Sequence, residues 1–183
     1  MDLRIERTRR SIINAFIELR AKKPLEKITV KEVYELALIN KATFYSHYYD
    51  IYDLSEQLER EAVDTVLKNI PHPDSLITDP KLGAKELALA LMSHNKLFDT
   101  LFSGSRSSVL TSRLEHGLKD KIYTLHPEYK DNLEWDILLT VLIQGCFYAF
   151  QSHSKDTDVN QLIEIIGNIN ERMLGDRQRE MEY

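Results

Sequence analysis

The segment from Lys41 to Tyr48 carries the side chains best suited to chemistry in this sequence, and that chemistry is recognition of a polar surface. If the segment is helical, Phe44 and Tyr48 lie four residues apart on one face, which suits packing against neighbouring helices. The other side carries small or polar residues, with a lysine at the exposed start and a tyrosine at the flank: Lys41, Ala42, Thr43, Tyr45, Ser46 and His47. A helix that enters the major groove of DNA needs this layout, because small side chains allow close approach and polar tips reach base edges and phosphates.

Two preceding helices must position this segment. Apolar residues recur with helical spacing from Arg4 to Lys22, and Pro24 ends that helix. Thr29 and Glu32 have the spacing of a capping box, which predicts the start of a second helix. Lys31, in the first turn of this second helix, can reach the groove or the DNA backbone.

A short turn completes the pattern. The turn Leu38-Ile39-Asn40 separates the second helix from a third one that runs through Tyr48, and Asn40 is a good N-cap residue for it. Two short helices joined by a three-residue turn, behind a longer first helix, are typical of a helix-turn-helix.

These residues resemble the N-terminal signature of the TetR (tetracycline-repressor-like) family. The resemblance covers roughly residues 4–60 and is densest from Thr43 to Tyr48. It implies a three-helix DNA-binding head, a fourth helix leading to a ligand-binding and dimerising body, and release from DNA when an effector binds. For individual positions, the resemblance implies that Thr43 contacts bases and that Tyr45 and His47 contact phosphates. It also implies that Thr29 and Lys31 lie at the edge of the groove.

Three positions depart from the family pattern. The usual turn glycine is Leu38, which would cost about 1 kcal/mol or more of strain if its φ is positive. The serine that usually caps the recognition helix is Asn40, a conservative replacement. The lysine often found just after the position of Asp50 is Ile51, which removes a phosphate contact and predicts a shallower dependence of DNA binding on salt.

The remaining sequence predicts further helices. Asp50 is the predicted N-cap of a fourth helix, and the segment Pro71-His72-Pro73-Asp74 ends the helical pattern. Asp79 and Pro80 then begin a fifth helix that reaches about Met92. Later helices are expected at 95–102, 109–125, 131–153 and 158–174, followed by a frayed tail over 176–183. We therefore predict an all-α fold of about nine helices, with a three-helix DNA-binding domain over residues 1–49 and a helical-bundle domain for effector binding and dimerisation over residues 50–183.

The charge is distributed unevenly along the chain. The net charge is −5, which alone argues against a nucleic-acid partner. Residues 1–50, however, carry ten Lys/Arg against seven Asp/Glu, whereas residues 51–183 carry fourteen against twenty-two. A basic head on an acidic body is expected when only the head meets phosphate, although this signal is weak by itself.

Two further sites follow from the apolar residues of the body. Aromatic and soft side chains give a candidate effector pocket, with ordinary core packing as the alternative for each: Met92, Phe98, Phe102, Trp135, Phe147 and Tyr148. The last two helices carry more apolar residues than one body can easily bury, which predicts a two-fold dimer through a four-helix bundle. The predicted interface comprises Leu138, Leu142, Gly145, Ala149, Leu162, Ile166 and Ile169.

Other functional classes find little support in the sequence. Glycine-rich phosphate loops, nucleophile elbows and paired metal-ligand motifs are missing, so we expect no enzyme, no metal and no cofactor. The single cysteine, Cys146, has apolar neighbours and fits a reducing compartment. The charged N-terminus and the apolar run of about fourteen residues, short of the roughly 18 of a membrane span, predict a cytoplasmic protein that does not use a membrane.

The sequence therefore predicts a homodimeric transcription regulator, a repressor by family resemblance, that binds a palindromic double-stranded DNA operator and responds to a small-molecule effector. The alternative is a helical protein-interaction adaptor whose head binds protein instead of specific DNA.

Overall fold

The fold is described from a computed structural model, which describes residues 3–92 and 95–175; the tail predicted over 176–183 lies outside them. The described residues form ten α-helices and no β-strand, so the predicted all-α class is confirmed. The helices are α1 (Leu3–Arg20), α2 (Val30–Leu36), α3 (Lys41–Tyr45), α4 (Ile51–Lys68), α5 (Ser75–Thr78), α6 (Pro80–Met92), α7 (Asn95–Leu101), α8 (Ser107–Leu125), α9 (Leu133–His153) and α10 (Val159–Leu174).

Local capping signals explain where most of these helices begin. The side chain of Asp50 accepts a hydrogen bond from the backbone N–H of Asp53 at 2.8 Å at the start of α4. Asp79 accepts one from Leu82 at 3.1 Å before Pro80, and Asp158 accepts one from Gln161 at 3.0 Å before α10. Each bond satisfies one of the backbone donors that a helix leaves unpaired in its first turn.

Three features differ from the sequence prediction. The short helix α5 adds a tenth helix in the segment after the proline-rich break. The cap of α9 is Asn132, whose side chain accepts hydrogen bonds from the backbone N–H groups of Glu134 and Trp135, so the predicted start at Asp131 was one residue early. The third helix ends at Tyr45, and a turn replaces the predicted continuation through Tyr48.

The chain divides into two compact units. The first unit combines residues up to 62 with residues 96–108, and the second contains residues 63–95 and the chain from 109 onward. The division lies within α4, whereas the domain boundary predicted from the sequence lies just before that helix. The first unit thus contains the predicted DNA-binding domain together with a segment that is remote in sequence.

The core of the first unit brings the first four helices together. Ile12 and Phe16 of α1, Val33 of α2, Phe44 of α3 and Leu54 of α4 are completely buried. The remote segment joins this unit through buried Arg20, which donates hydrogen bonds to the carbonyl oxygen of Leu101 at 3.1 Å and to Ser103 Oγ at 3.0 Å. These bonds fix the C-terminal end of α1 to the last residue of α7 and to Ser103 just after it.

The second unit is built on close helix pairs. A Cβ atom placed on Gly167 of α10 would lie 3.0 Å from the Cα atom of Lys81, so α6 and α10 pack with little space between their backbones. The core also contains apolar side chains from α8 and α9 that are almost fully buried: Leu114, Leu118, Ile122, Leu139, Leu142 and Ile143. Cys146 is buried as well and accepts a hydrogen bond from Asn170 Nδ2 at 3.0 Å, and this burial raises the pKa of its thiol.

A polar network lies between α8 and α9. Lys119 Nζ binds Glu115 Oε1 at 2.9 Å, Asp136 Oδ1 at 2.7 Å and Thr140 Oγ1 at 2.7 Å. Tyr123 donates a hydrogen bond to Asp136 at 2.9 Å. Burial would penalise these charges, but each has a partner of opposite charge, so the network fixes how the two helices face each other.

Among the described helices, α9 is the only one long and apolar enough to cross a membrane by length and composition. A single helix of this kind is weak evidence for a membrane span. The polar side chains that α9 directs toward α8 are better suited to contact with protein than to contact with lipid.

Candidate nucleic-acid interface

The start of α2 is fixed by the predicted capping box. The backbone N–H of Glu32 donates to Thr29 Oγ1 at 3.3 Å, and the backbone N–H of Thr29 donates back to Glu32 Oε2 at 3.0 Å. Lys23 Nζ lies 2.5 Å from the other carboxylate oxygen of Glu32. The hydrogen bonds from Lys23 and Thr29 lower the pKa of Glu32 to about 2. The Thr29 hydroxyl also donates to Glu32, so this residue, expected at the groove edge, is engaged within its own helix.

The turn between α2 and α3 meets the condition under which strain at Leu38 is expected. Leu38 adopts φ +56°, and it is the only described residue other than glycine with a positive φ. Its side chain is 91% exposed, so no burial of apolar surface offsets the cost of this conformation.

Helix α3 is held firmly from its inner side. The side chain of Asn40 accepts a hydrogen bond from the backbone N–H of Thr43 at 2.8 Å, as predicted for an N-cap. Phe44 and Tyr48 are both buried, with ring centroids 5.9 Å apart, which confirms them as the packed rear of this segment. Tyr45 packs edge-on against Phe44 at 5.6 Å while half of its side-chain surface remains exposed.

The outer side of α3 brings the predicted contact residues together. Lys41, Ala42, Tyr45 and Ser46 are exposed, and Thr43 and His47 are half-buried. Lys41 Nζ lies 5.9 Å from the centre of the Tyr45 ring, which places a cation over an aromatic face. This surface can therefore offer cationic, hydroxyl and aromatic groups to a partner.

Lys31 lies at the start of α2 and is also exposed. Its ammonium group is 3.8 Å from Glu35 one turn along the helix, with 70% of the side chain accessible to solvent. Such a surface pair contributes little to stability, so the lysine can leave it for a phosphate at small cost.

Sequence reasoning did not single out two other exposed aromatic residues beside this surface. Tyr49 is 82% exposed and Tyr52 is 56% exposed, although both follow the buried Tyr48 closely. The sequence contained a signal for Tyr52: the helical spacing of Ile51, Leu54 and Leu58 assigns one face of α4 to the core, and Tyr52 lies on another face. Tyrosines in such positions can donate hydrogen bonds to phosphate oxygens.

The predicted dimer residues divide into two groups. Leu142, Leu162 and Ile166 are buried within the chain and therefore offer no surface to a partner. Gly145 and Ile169 are exposed, and Leu138 and Ala149 are half-buried. The large apolar residues that α9 and α10 leave exposed form what we call the apolar face: Leu133, Ile137, Val141, Tyr148, Ile165, Ile169 and Met173.

The six predicted effector-pocket residues also separate. Phe98 and Phe102 belong to the first unit, where both are buried with ring centroids 5.7 Å apart. The others belong to the second unit, where Met92 and Tyr148 are exposed, Phe147 is buried, and Trp135 stacks on Tyr129 at 4.3 Å. Core packing accounts for the buried members of the set, so the effector pocket stays a prediction.

Within the described parts of the chain, no group of three or more His, Cys, Asp or Glu side chains could hold a metal ion. The sequence matches no known protein-family model, and no curated protein matches it significantly.

Proposed function

We propose that this chain is a DNA-binding transcription regulator of the TetR type, a cytoplasmic repressor that binds a palindromic operator as a homodimer and responds to a small-molecule effector. The observation that carries the proposal is the arrangement of α3, whose apolar rear is buried while Lys41, Tyr45 and Ser46 face solvent. A short helix held in this way can enter a major groove without disturbing its own packing.

Electrostatics support the same surface. Lys41 has no carboxylate partner among the described residues, and Lys31 has only the distant Glu35. Each lysine that neutralises a phosphate releases counterions, so DNA binding should weaken as salt increases, with a slope of about 0.9 per contact.

Homodimerisation draws its support from the apolar face. Ile137 and Val141 are one turn apart on α9, and Ile165, Ile169 and Met173 recur every four residues on α10. Exposed apolar surface of this regularity is costly in a monomer and suits a two-fold pairing of both helices with those of a second copy.

Selection of sequences from random duplexes by the full-length protein, followed by titration of the selected duplex, tests the proposal. Lys41→Ala and Tyr45→Ala should lose operator binding at physiological salt while their circular dichroism and oligomeric state stay unchanged. At low salt, where weak binding can be measured, the salt slope of Lys41→Ala should be smaller than that of the wild type by about one. Lys85→Ala, at an exposed position of α6, is the matched control and should bind like the wild type.

Two results would contradict the proposal. One is failure to enrich any sequence. The other is unchanged affinity in both α3 variants. Salt-insensitive binding to protein partners, without any DNA binding, would favour the adaptor alternative.

A further inference from the structure

The polar side chains of α3 have their hydrogen-bonding roles fixed by the helix itself. Asn40 Oδ1 accepts from the backbone N–H of Thr43 at 2.8 Å, and because an N–H can only donate, the amide oxygen must be the atom that faces it. Thr43 Oγ1 lies 3.0 Å from the same oxygen. Since an amide oxygen can only accept, the Thr43 hydroxyl must be the donor.

The hydroxyl group of Ser46 also donates its proton within the segment. Its Oγ lies 2.7 Å from the carbonyl oxygen of Thr43, which is again an acceptor only, so the serine hydroxyl donates to it. Both hydroxyl protons are therefore used inside the helix. The lone pairs of Thr43 Oγ1 and Ser46 Oγ remain available to a partner, but their protons do not.

This state limits what the two hydroxyls can read. A freely rotating hydroxyl can donate to one base and accept from another, so it distinguishes bases poorly. A hydroxyl whose proton is held by its own helix can only accept. In the major groove the group that donates to it must then be an exocyclic amino group, which adenine and cytosine present there and guanine and thymine do not.

We propose that Thr43, with its hydroxyl oriented by Asn40, selects a base whose exocyclic amino group faces the major groove (adenine or cytosine) at its contact position in the operator, and that Ser46 has the same preference wherever it reaches a base. This inference rests on the proposed DNA-binding function and adds a specificity to it. Asn40 acts as a positioning residue, because its side chain orients the Thr43 hydroxyl.

Sequence selection by the full-length protein and by two variants tests the inference. The wild type should show one base-pair position at which adenine or cytosine on a given strand is preferred over guanine or thymine by roughly tenfold. Thr43→Val keeps the shape of the side chain but removes its oxygen, and it should lose the preference at that position alone. Asn40→Gly keeps an acceptable N-cap but releases the Thr43 proton, so it should admit guanine or thymine there.

A modified duplex assigns the effect to the amino group. Where the selected base is adenine, 2-aminopurine still pairs with thymine but lacks the amino group in the major groove; where it is cytosine, 2-pyrimidinone does the same opposite guanine. Wild-type affinity should fall about tenfold on this duplex, and Thr43→Val should bind both duplexes equally.

The outcomes separate the two proposals. If the wild type selects a sequence but Thr43→Val changes no position, or the affected position prefers guanine or thymine, the inference about Thr43 is wrong and the regulator remains. A full amino-base preference in Asn40→Gly also overturns the positioning role of Asn40. If no sequence is selected at all, the DNA-binding function fails and takes this inference with it.

Discussion

Arg106 donates two parallel hydrogen bonds to the carboxylate of Glu59, from Nε to Oε1 at 2.9 Å and from Nη2 to Oε2. Glu59 is completely buried in α4, and Ser55 donates a further hydrogen bond to Oε1 at 2.8 Å. Hydrogen bonding to Glu59 raises the pKa of Arg106. The pair joins the segment 96–108 to α4 within the first unit, so Glu59 keeps its hydrogen-bonded cation only while that segment stays in place.

Replacing Arg106 by methionine should therefore destabilise the first unit by about 3–5 kcal/mol, because it leaves a buried carboxylate without its hydrogen-bonded cation. The double variant Glu59→Gln/Arg106→Met should recover a large part of this loss. Urea unfolding followed by circular dichroism measures both changes. Arg10→Met, at an exposed position of α1, is the control and should change stability by less than about 0.5 kcal/mol. Equal losses in the Arg106 and Arg10 variants would contradict the role of the ion pair.

The turn before α3 offers a change that should stabilise the protein. Leu38→Gly removes the steric cost of φ +56°, and the loss of an exposed side chain costs no buried surface. Glycine also has more conformational freedom in the unfolded chain, which offsets part of this gain. We therefore expect a net stabilisation of about 0.5–1 kcal/mol. The midpoint of urea unfolding should increase with an unchanged slope. Leu36→Gly, in the last turn of α2, provides the contrast, since glycine in a helix should lower the midpoint.

The polar network of α8 and α9 should make the stability of the second unit decrease at both acidic and alkaline pH. Hydrogen bonds from Lys119 and Tyr123 lower the pKa of Asp136 in the folded protein below its ordinary value of 3.8. The ionised Asp136 therefore stabilises the fold above pH 3.8, and this stabilisation is lost as the pH falls through the lowered pKa of the folded state. Burial, assisted by the hydrogen bond to Asp136, raises the pKa of Tyr123 to about 12, so its contribution is present below pH 10 and is lost as the pH rises toward 12.

Two conservative variants measure these two decreases separately. The difference in unfolding free energy between the wild type and Asp136→Asn should narrow as the pH falls from about 4 toward 2, since the charge that distinguishes them is then neutralised. The difference between the wild type and Tyr123→Phe should narrow above pH 10. Differences that stay constant across both ranges would show that the network does not control stability.

The parts of the fold set by neighbouring residues could be predicted from the sequence. The side chains of Asn40, Asp79 and Asp158 each cap a helix by accepting from the backbone N–H three residues later. The spacing of residue types was therefore sufficient to predict these caps. The inner and outer sides of α3 followed from helical periodicity for the same reason. The strain at Leu38 was predicted only on the condition of a positive φ, because this position holds the usual turn glycine of the family that the sequence resembles; φ is indeed positive.

Contacts between remote segments could not be predicted. The bond from Arg20 to the carbonyl oxygen of Leu101 and the pair between Glu59 and Arg106 depend on how the chain returns to itself, which no local pattern encodes. The assignment of Leu142 and Ile166 to a dimer surface had a similar origin. A helix that is apolar nearly all round does not reveal which side faces its own chain and which side remains exposed.

Gly145 provides the sharpest test of the dimer, because a larger side chain there has space within a single chain. A Cβ atom added to Gly145 meets nothing within 4 Å, and the residue is exposed between Val141 and Tyr148 of the apolar face. Gly145→Leu should favour the helix by roughly 0.5–1 kcal/mol in an isolated chain. In a dimer through α9 it should instead separate the two copies and weaken association at least tenfold, which sedimentation velocity over a concentration series measures. Lys85→Leu adds the same side chain to an exposed position of α6 and should leave association unchanged. A Gly145→Leu protein that dimerises like the wild type would remove this part of α9 from the interface.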